Sequence, residues 1–119
     1  MKWIVLSVRQ PWAWLIVNGH KDIENRTWKT AHRGQVLIHA GKEPAATPKI
    51  INGVLVPEMF HYRTGGIVGM VEITECVTSS KSKWFEGPYG FVLTAAKAIP
   101  FIPLRGRLGF FQVDLEIEP

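Results

Sequence analysis

Apolar residues crowd the start of the chain in the run Trp3-Ile4-Val5-Leu6-Ser7-Val8, rich in β-branched and aromatic side chains and too short for a stable helix, which predicts a strand. The period then changes. Trp12, Leu15 and Ile16 recur at helical spacing behind Pro11, which suits a first helical position, and Gly19 supplies a left-handed stop, so a helix is predicted between them. Trp14 and Val17 widen its apolar surface beyond one stripe, as expected of a helix covered on more than one side. From Asp22 to Trp28 the pattern alternates, with Ile23, Asn25 and Thr27 on one face and Asp22, Glu24, Arg26 and Trp28 on the other.

Gln35 to Ala40 reads as a further strand after Gly34, and Ile67 to Thr78, mostly aliphatic, is the strongest strand in the sequence. Tyr89 to Ala95 and Gly109 to Ile117 complete the set, separated by Ile99-Pro100-Phe101-Ile102-Pro103 and a turn around Gly106. Lys42 to Gly66 holds Pro44, Pro48, Gly53 and Pro57 and no sustained period, so it reads as a long excursion with at most short helical turns, one of which Thr47-Pro48 can begin. Long excursions of this kind often flank a binding site. Ser79 to Gly87 reads as a polar loop carrying Trp84 and Phe85. About six strands, one clear helix and no regular alternation of the two predict an α+β fold, a small antiparallel or mixed β-barrel with one main helix near the N-terminus. No repeat or linker divides 1–119, so one domain is expected.

Composition changes this picture little. The 119 residues, 46% apolar and 20% charged, suit a soluble globular protein with one core. The single cysteine, Cys76, cannot form an intramolecular disulfide or a Cys-based zinc site within this chain, which suits a reducing compartment, and in its apolar run it reads as a core thiol. The first apolar run breaks at Ser7-Val8-Arg9, short of a signal peptide or a membrane span, so a cytoplasmic protein with no membrane association is expected. A formal net charge of +4 favours anionic partners, but only weakly by itself.

Charge gains meaning where it meets aromatic rings. At Arg9-Gln10-Pro11-Trp12 the helix start offers N–H groups and a cation to an anion, or else Gln10 merely caps the helix and Arg9 is solvated. Strand periodicity next puts Glu24, Arg26 and Trp28 in a row behind Lys21, an acceptor, a forked donor and a flat ring, which can read a base and hold its phosphate. The alternative is an ordinary exposed strand with surface ion pairs. Lys81, Lys83, Trp84 and Tyr89 repeat the mixture of cations and rings, although Trp84 and Tyr89 also suit the closing of a barrel end. Arg105 and Arg107 lie near another turn, where they suit solvent.

His20, His32, His39 and His61 lack metal-site spacing, and no phosphate-cradling glycine motif or Ser/His/Asp elbow is present, so neither a metal nor a cofactor is expected. Glu72 interrupts the strongest strand, either facing solvent by alternation or projecting into a barrel mouth, where it would be a third member beside an acid/base pair of Lys21 and Glu24.

Ordered motifs along the chain resemble the ASCH domain family, of the PUA-like group. They are Ser7-Val8-Arg9-Gln10-Pro11-Trp12, Gly19-x-Lys21-x-x-Glu24-x-Arg26-x-Trp28, His32-Arg33-Gly34, Gly66-Ile67-Val68-Gly69-x-Val71-Glu72, and Trp84-Phe85-x-Gly87-Pro88-Tyr89-Gly90-Phe91 followed by Gly106-x-Leu108-Gly109-Phe110-Phe111. The resemblance implies a PUA-like β-barrel with a cleft beside the first helix, lined by Gly19, Lys21 and Glu24 and proposed to take RNA or other nucleic acid. Some relatives deacetylate N4-acetylcytidine with a Lys, a Thr three residues on and a distant Glu; here Lys21 is kept but Glu24 stands at the Thr position. A carboxylate there is expected to hold the Lys21 amine protonated and unfit as a base. A ribonuclease role has also been proposed in the family.

The expectation is therefore a module for nucleic acid or a nucleotide. Arg9, Lys21 and Arg26 would hold phosphate or sugar, Glu24 would read a base edge or orient Lys21, and Trp28 or Trp84 would stack, with Gln10, Trp12, Lys83 and Tyr89 nearby. An enzyme using Lys21, Glu24 and Glu72 on a modified nucleoside or RNA is the alternative, and a protein-binding domain the third reading.

Overall fold

The computed structural model of the chain describes residues 1–42, 49–58 and 63–117. In chain order the elements are β1 (Lys2–Val8), α1 (Trp12–Val17), β2 (Ile23–Arg26), β3 (Gly34–Ala40), β4 (Ile50–Ile51), β5 (Val54–Leu55), β6 (Gly66–Val77), β7 (Tyr89–Pro103) and β8 (Phe110–Asp114). Six strands form one mixed sheet in the order β2-β7-β6-β3-β1-β8, with β1 and β3 parallel and the other neighbours antiparallel. This is the α+β arrangement that the periodicity predicts.

The near-continuous apolar runs in β1 and β3 have a simple cause: both faces of the sheet are covered there. Leu6, Val8, Val36 and Ile38 point into one cluster with Ala13 and Ile16 of α1, while Val5 and Leu37, one residue out of phase, point into another with Ile67, Met70 and Phe111. β6 differs beyond its first half, where Val71 and Ile73 are buried and Glu72 and Thr74 are exposed.

The sheet curls, but among the described residues no backbone ladder joins its end strands β2 and β8. Side chains bridge that seam instead. Trp28, just past β2, meets Phe110 of β8 edge-on at 5.5 Å, and Arg26 of β2 donates to the Ser7 carbonyl of β1 at 2.7 Å.

Two expectations need correction. β7 runs on through Ile99-Pro100-Phe101-Ile102-Pro103, which the prolines had suggested was a break. The β2 ladder covers only Tyr89 to Val92, and among the described residues no strand continues it along that edge of β7, which can therefore accept residues that lack an N–H. Second, the excursion after Lys42 contains a hairpin, β4 paired with β5 through Asn52 (φ 47°) and Gly53 (φ 81°). Two successive positive φ angles are what a two-residue hairpin turn demands, and Asn-Gly is its favoured pair. The turn proposed at Thr47-Pro48 lies outside the described residues. Cys76 is half-buried against the core edge rather than within it.

Candidate functional site

The centre of the site begins at the end of α1. His20 and Lys21 both donate their backbone N–H to the Leu15 carbonyl, at 2.9 and 3.0 Å, after Gly19 turns the chain at φ 80°. That wrap points the Lys21 side chain back beneath Trp12, whose ring centroid lies 5.9 Å from Nζ. Two-residue periodicity then brings Glu24 and Arg26 of β2 to the same side.

The three charges form a row. Lys21 Nζ donates to Glu24 Oε1 at 3.4 Å and to the Ile23 carbonyl, and Arg26 Nε donates to Glu24 Oε2 at 3.0 Å. Lys21 and Glu24 are only 6% and 7% exposed, so each depends on the other groups for the hydration it has lost. Burial lowers the Lys21 pKa from the ordinary lysine value, against the opposing pull of Glu24. Spacing revealed the partner carboxylate but not the depth of burial that acts against it.

Two hollows adjoin this row and share Trp12 and Glu24 as a common wall. The first, about 360 Å³, is lined by Arg9, Arg26 and Arg107 along with Ser7 and Leu108. The second, about 310 Å³, is lined by Lys21, Asn25, Asn52 and Trp84. Ser7, Gly41, Arg107 and Leu108 also border a third depression of about 460 Å³, which adds Lys42 and Arg105, so the three run together as a groove.

The structure thus gathers Arg9, Trp12, Lys21, Glu24, Arg26 and Trp84 around adjoining hollows. Other candidate residues stand elsewhere. Gln10 is buried, accepts the Trp14 N–H at 2.8 Å and donates to the Arg63 carbonyl at 2.9 Å, which is the capping alternative. With that N–H occupied and only six residues in α1, the helix-start motif reaches the first hollow through the side chains of Arg9 and Trp12. Trp28 lines neither hollow; it packs on Phe91 and Phe110 and supports the Arg26 guanidinium from 5.9 Å. Lys83 is exposed, donates to the Asn52 carbonyl at 2.8 Å and lies over the Trp84 ring. Tyr89 is half-buried opposite Arg26 in the ladder, and Glu72 is exposed opposite Gln35, neither of them lining the hollows. His20 stacks on Trp14, His32 meets Phe110, and His39 bonds Ser7 and Leu104, while His61 lies outside the described residues.

Several lining residues escaped the sequence reading. Asn25 faces away from Glu24, yet its amide donates to the Trp84 carbonyl at 2.9 Å and accepts from the N–H groups of Glu86 and Gly87 at 2.8 and 3.0 Å, holding the 79–88 loop against the second hollow. Asn52 arrives on the hairpin, whose Asn-Gly pair was the missed signal. Arg107 was visible as a charge, but nothing local told where the β7–β8 connection would lie.

Comparison with known proteins is consistent across the chain. Residues 6–104 match the family model described as the ASCH domain. The chain is 29% identical over 130 aligned residues to activating signal cointegrator 1 of Homo sapiens, and 36% identical over 130 to the protein of that name in Mus musculus. Each alignment covers 94% of this chain but 22% of the relative, so the chain spans about a fifth of the length of the curated relatives it matches. Since the family match runs from the last residues of β1 through β7 and takes in the whole Lys21, Glu24, Arg26 row, the chain belongs to the ASCH domain family.

Proposed function

We propose that this chain binds nucleic acid, RNA foremost, along the groove beside α1. One observation carries the reading: Trp12 and Glu24 separate a hollow lined by three arginines from one lined by tryptophan, amine and carboxamide groups. A nucleotide divides the same way, into an anionic phosphate that positions and a flat, hydrogen-bonding base that specifies. Arg9, Arg26 and Arg107 hold phosphate; Trp12, Lys21 and Glu24 face the base. The side-chain seam between β2 and β8 supports the PUA-like barrel as the frame, and the cytoplasm, where the lone thiol stays reduced, is the compartment we assign.

The test is a salt series with a single-stranded RNA oligonucleotide. Three phosphate contacts predict that log affinity falls by about 2 for each unit of log salt, and replacing any one of the arginines with alanine lowers that slope by roughly 0.7. Affinity independent of salt, or no binding, overturns the proposal.

A second reading is favoured by the lowered pKa of Lys21: an amine that loses its proton more readily suits a hydrolase acting on an acylated nucleoside. Release of acetate from N4-acetylcytidine, lost in Lys21→Ala, would establish it. No release by the unaltered protein removes it.

A further inference from the structure

We infer that Leu108 is an apolar wedge that enters the base stack of a strand lying in the groove, so that the partner is a polynucleotide and not a free nucleotide. This rests on the nucleic-acid reading above. Leu108 is 99% exposed, against 70% for Leu55 and 61% for Ile50. Single exposed leucines are common and by themselves mean little. This one stands on the lip shared by the first and third hollows, with Arg107 beside it, Arg9 on one side and Lys42 and Arg105 on the other.

Its exposure is also built into the backbone. On one side of Leu108 the His39 Nε2–H donates to the Leu104 carbonyl at 2.6 Å, which leaves Nδ1 to accept from the Ser7 hydroxyl at 3.2 Å. Gly106 lies so tightly over that pair that a Cβ would stand 2.6 Å from the His39 ring and 2.9 Å from Ser7 Oγ. On the other side Gly109 turns the chain at φ 66°, where a Cβ would be 3.9 Å from the Trp28 ring. A loop anchored at both ends loses little freedom on binding, so contacts made by Leu108 are not spent on ordering it.

The surrounding charge selects the occupant. An apolar side chain ringed by Arg9, Lys42, Arg105 and Arg107 complements a surface that is apolar within and anionic outside, and stacked bases between phosphates have that character. Leucine is among the side chains that proteins insert between base steps, usually with arginine or lysine on the flanking backbone.

The experiment compares unaltered protein, Leu108→Ala, Leu108→Met and Arg107→Ala on single-stranded RNA, single-stranded DNA and duplex of one sequence carrying 2-aminopurine at successive positions, with the mononucleotide alongside. Binding by the unaltered protein should raise emission at one or two adjacent positions. Leu108→Ala should abolish that rise and weaken strand binding about tenfold, leaving the salt slope and the mononucleotide affinity unchanged. Leu108→Met should restore the rise, and Arg107→Ala should instead lower the slope by roughly 0.7. The arm with the largest loss identifies RNA, DNA or duplex as the partner. Strand binding unaltered in Leu108→Ala, an equal loss for the mononucleotide, or a dimer of the unaltered protein that Leu108→Ala dissolves would each overturn the wedge while leaving the groove proposal standing. If no nucleic acid binds the unaltered protein, both fall.

Discussion

The two walls of the groove hold their charges in opposite ways. On the α1 and β2 side, Lys21 and Glu24 are nearly out of solvent and locked to Arg26 and the backbone, so their charges are part of the fold. On the β7–β8 side, Arg105, Arg107 and Leu108 stand in water on a loop held by its glycines and by His39, so their side chains contribute almost nothing to folding. The contrast separates a wall that sets geometry from one that is free to meet a partner. It also says where substitution will damage the protein and where it will damage only binding.

The sharpest way to break the comparison is Glu24→Ala, which leaves two cations without their shared carboxylate. A buried pair broken on one side costs about 3 kcal/mol or more, read as a fall in the urea midpoint at unchanged slope. A loss below about 1 kcal/mol would mean that the hollows hydrate the row and that this wall resembles the other. Next comes Gly106→Ala on the exposed wall, where the added methyl meets His39 and Ser7 and should destabilise by about 2 kcal/mol. That result would locate the loop's structural role in its backbone anchor and not in its charged side chains.

Lys21→Met sharpens the comparison by pH. The folded pKa of Lys21 is lowered, so between that value and the ordinary 10.5 the unfolded chain holds a proton that the folded chain has released. Stability should therefore rise with pH across that window in the unaltered protein relative to the variant, as denaturation at a series of alkaline pH values will read. A flat difference would show that Glu24 balances the burial. The smallest effect is expected from Arg107→Ala, within about 0.5 kcal/mol of unaltered stability, even though strand binding weakens.

The fold was legible to differing depths. β1, β3 and β6 came directly from their apolar runs, and α1 from its period and its closing glycine. The end of β7 was not legible, because whether a strand tolerates proline depends on which neighbour covers it, and β2 stops after four residues. The β4–β5 hairpin had a readable Asn-Gly turn, but its strands are two residues each, too short for alternation to register. In the site, the row of Glu24 and Arg26 followed from period two, whereas the depth of Lys21 did not.

What the amino-acid order determines alone is the face each side chain takes within its own element. That placed Glu24, Arg26 and Trp28 on one side of β2 and Lys21 just ahead of them. Only the tertiary structure decided that Arg9, Arg107 and Lys42 join them, that Trp28 turns inward to close the seam, and that Asn25 supports the site from behind. The reason is physical: a local period encodes direction about one axis. The meeting of distant loops depends on strand order and on the curl of the whole sheet, which are settled by packing summed over many residues.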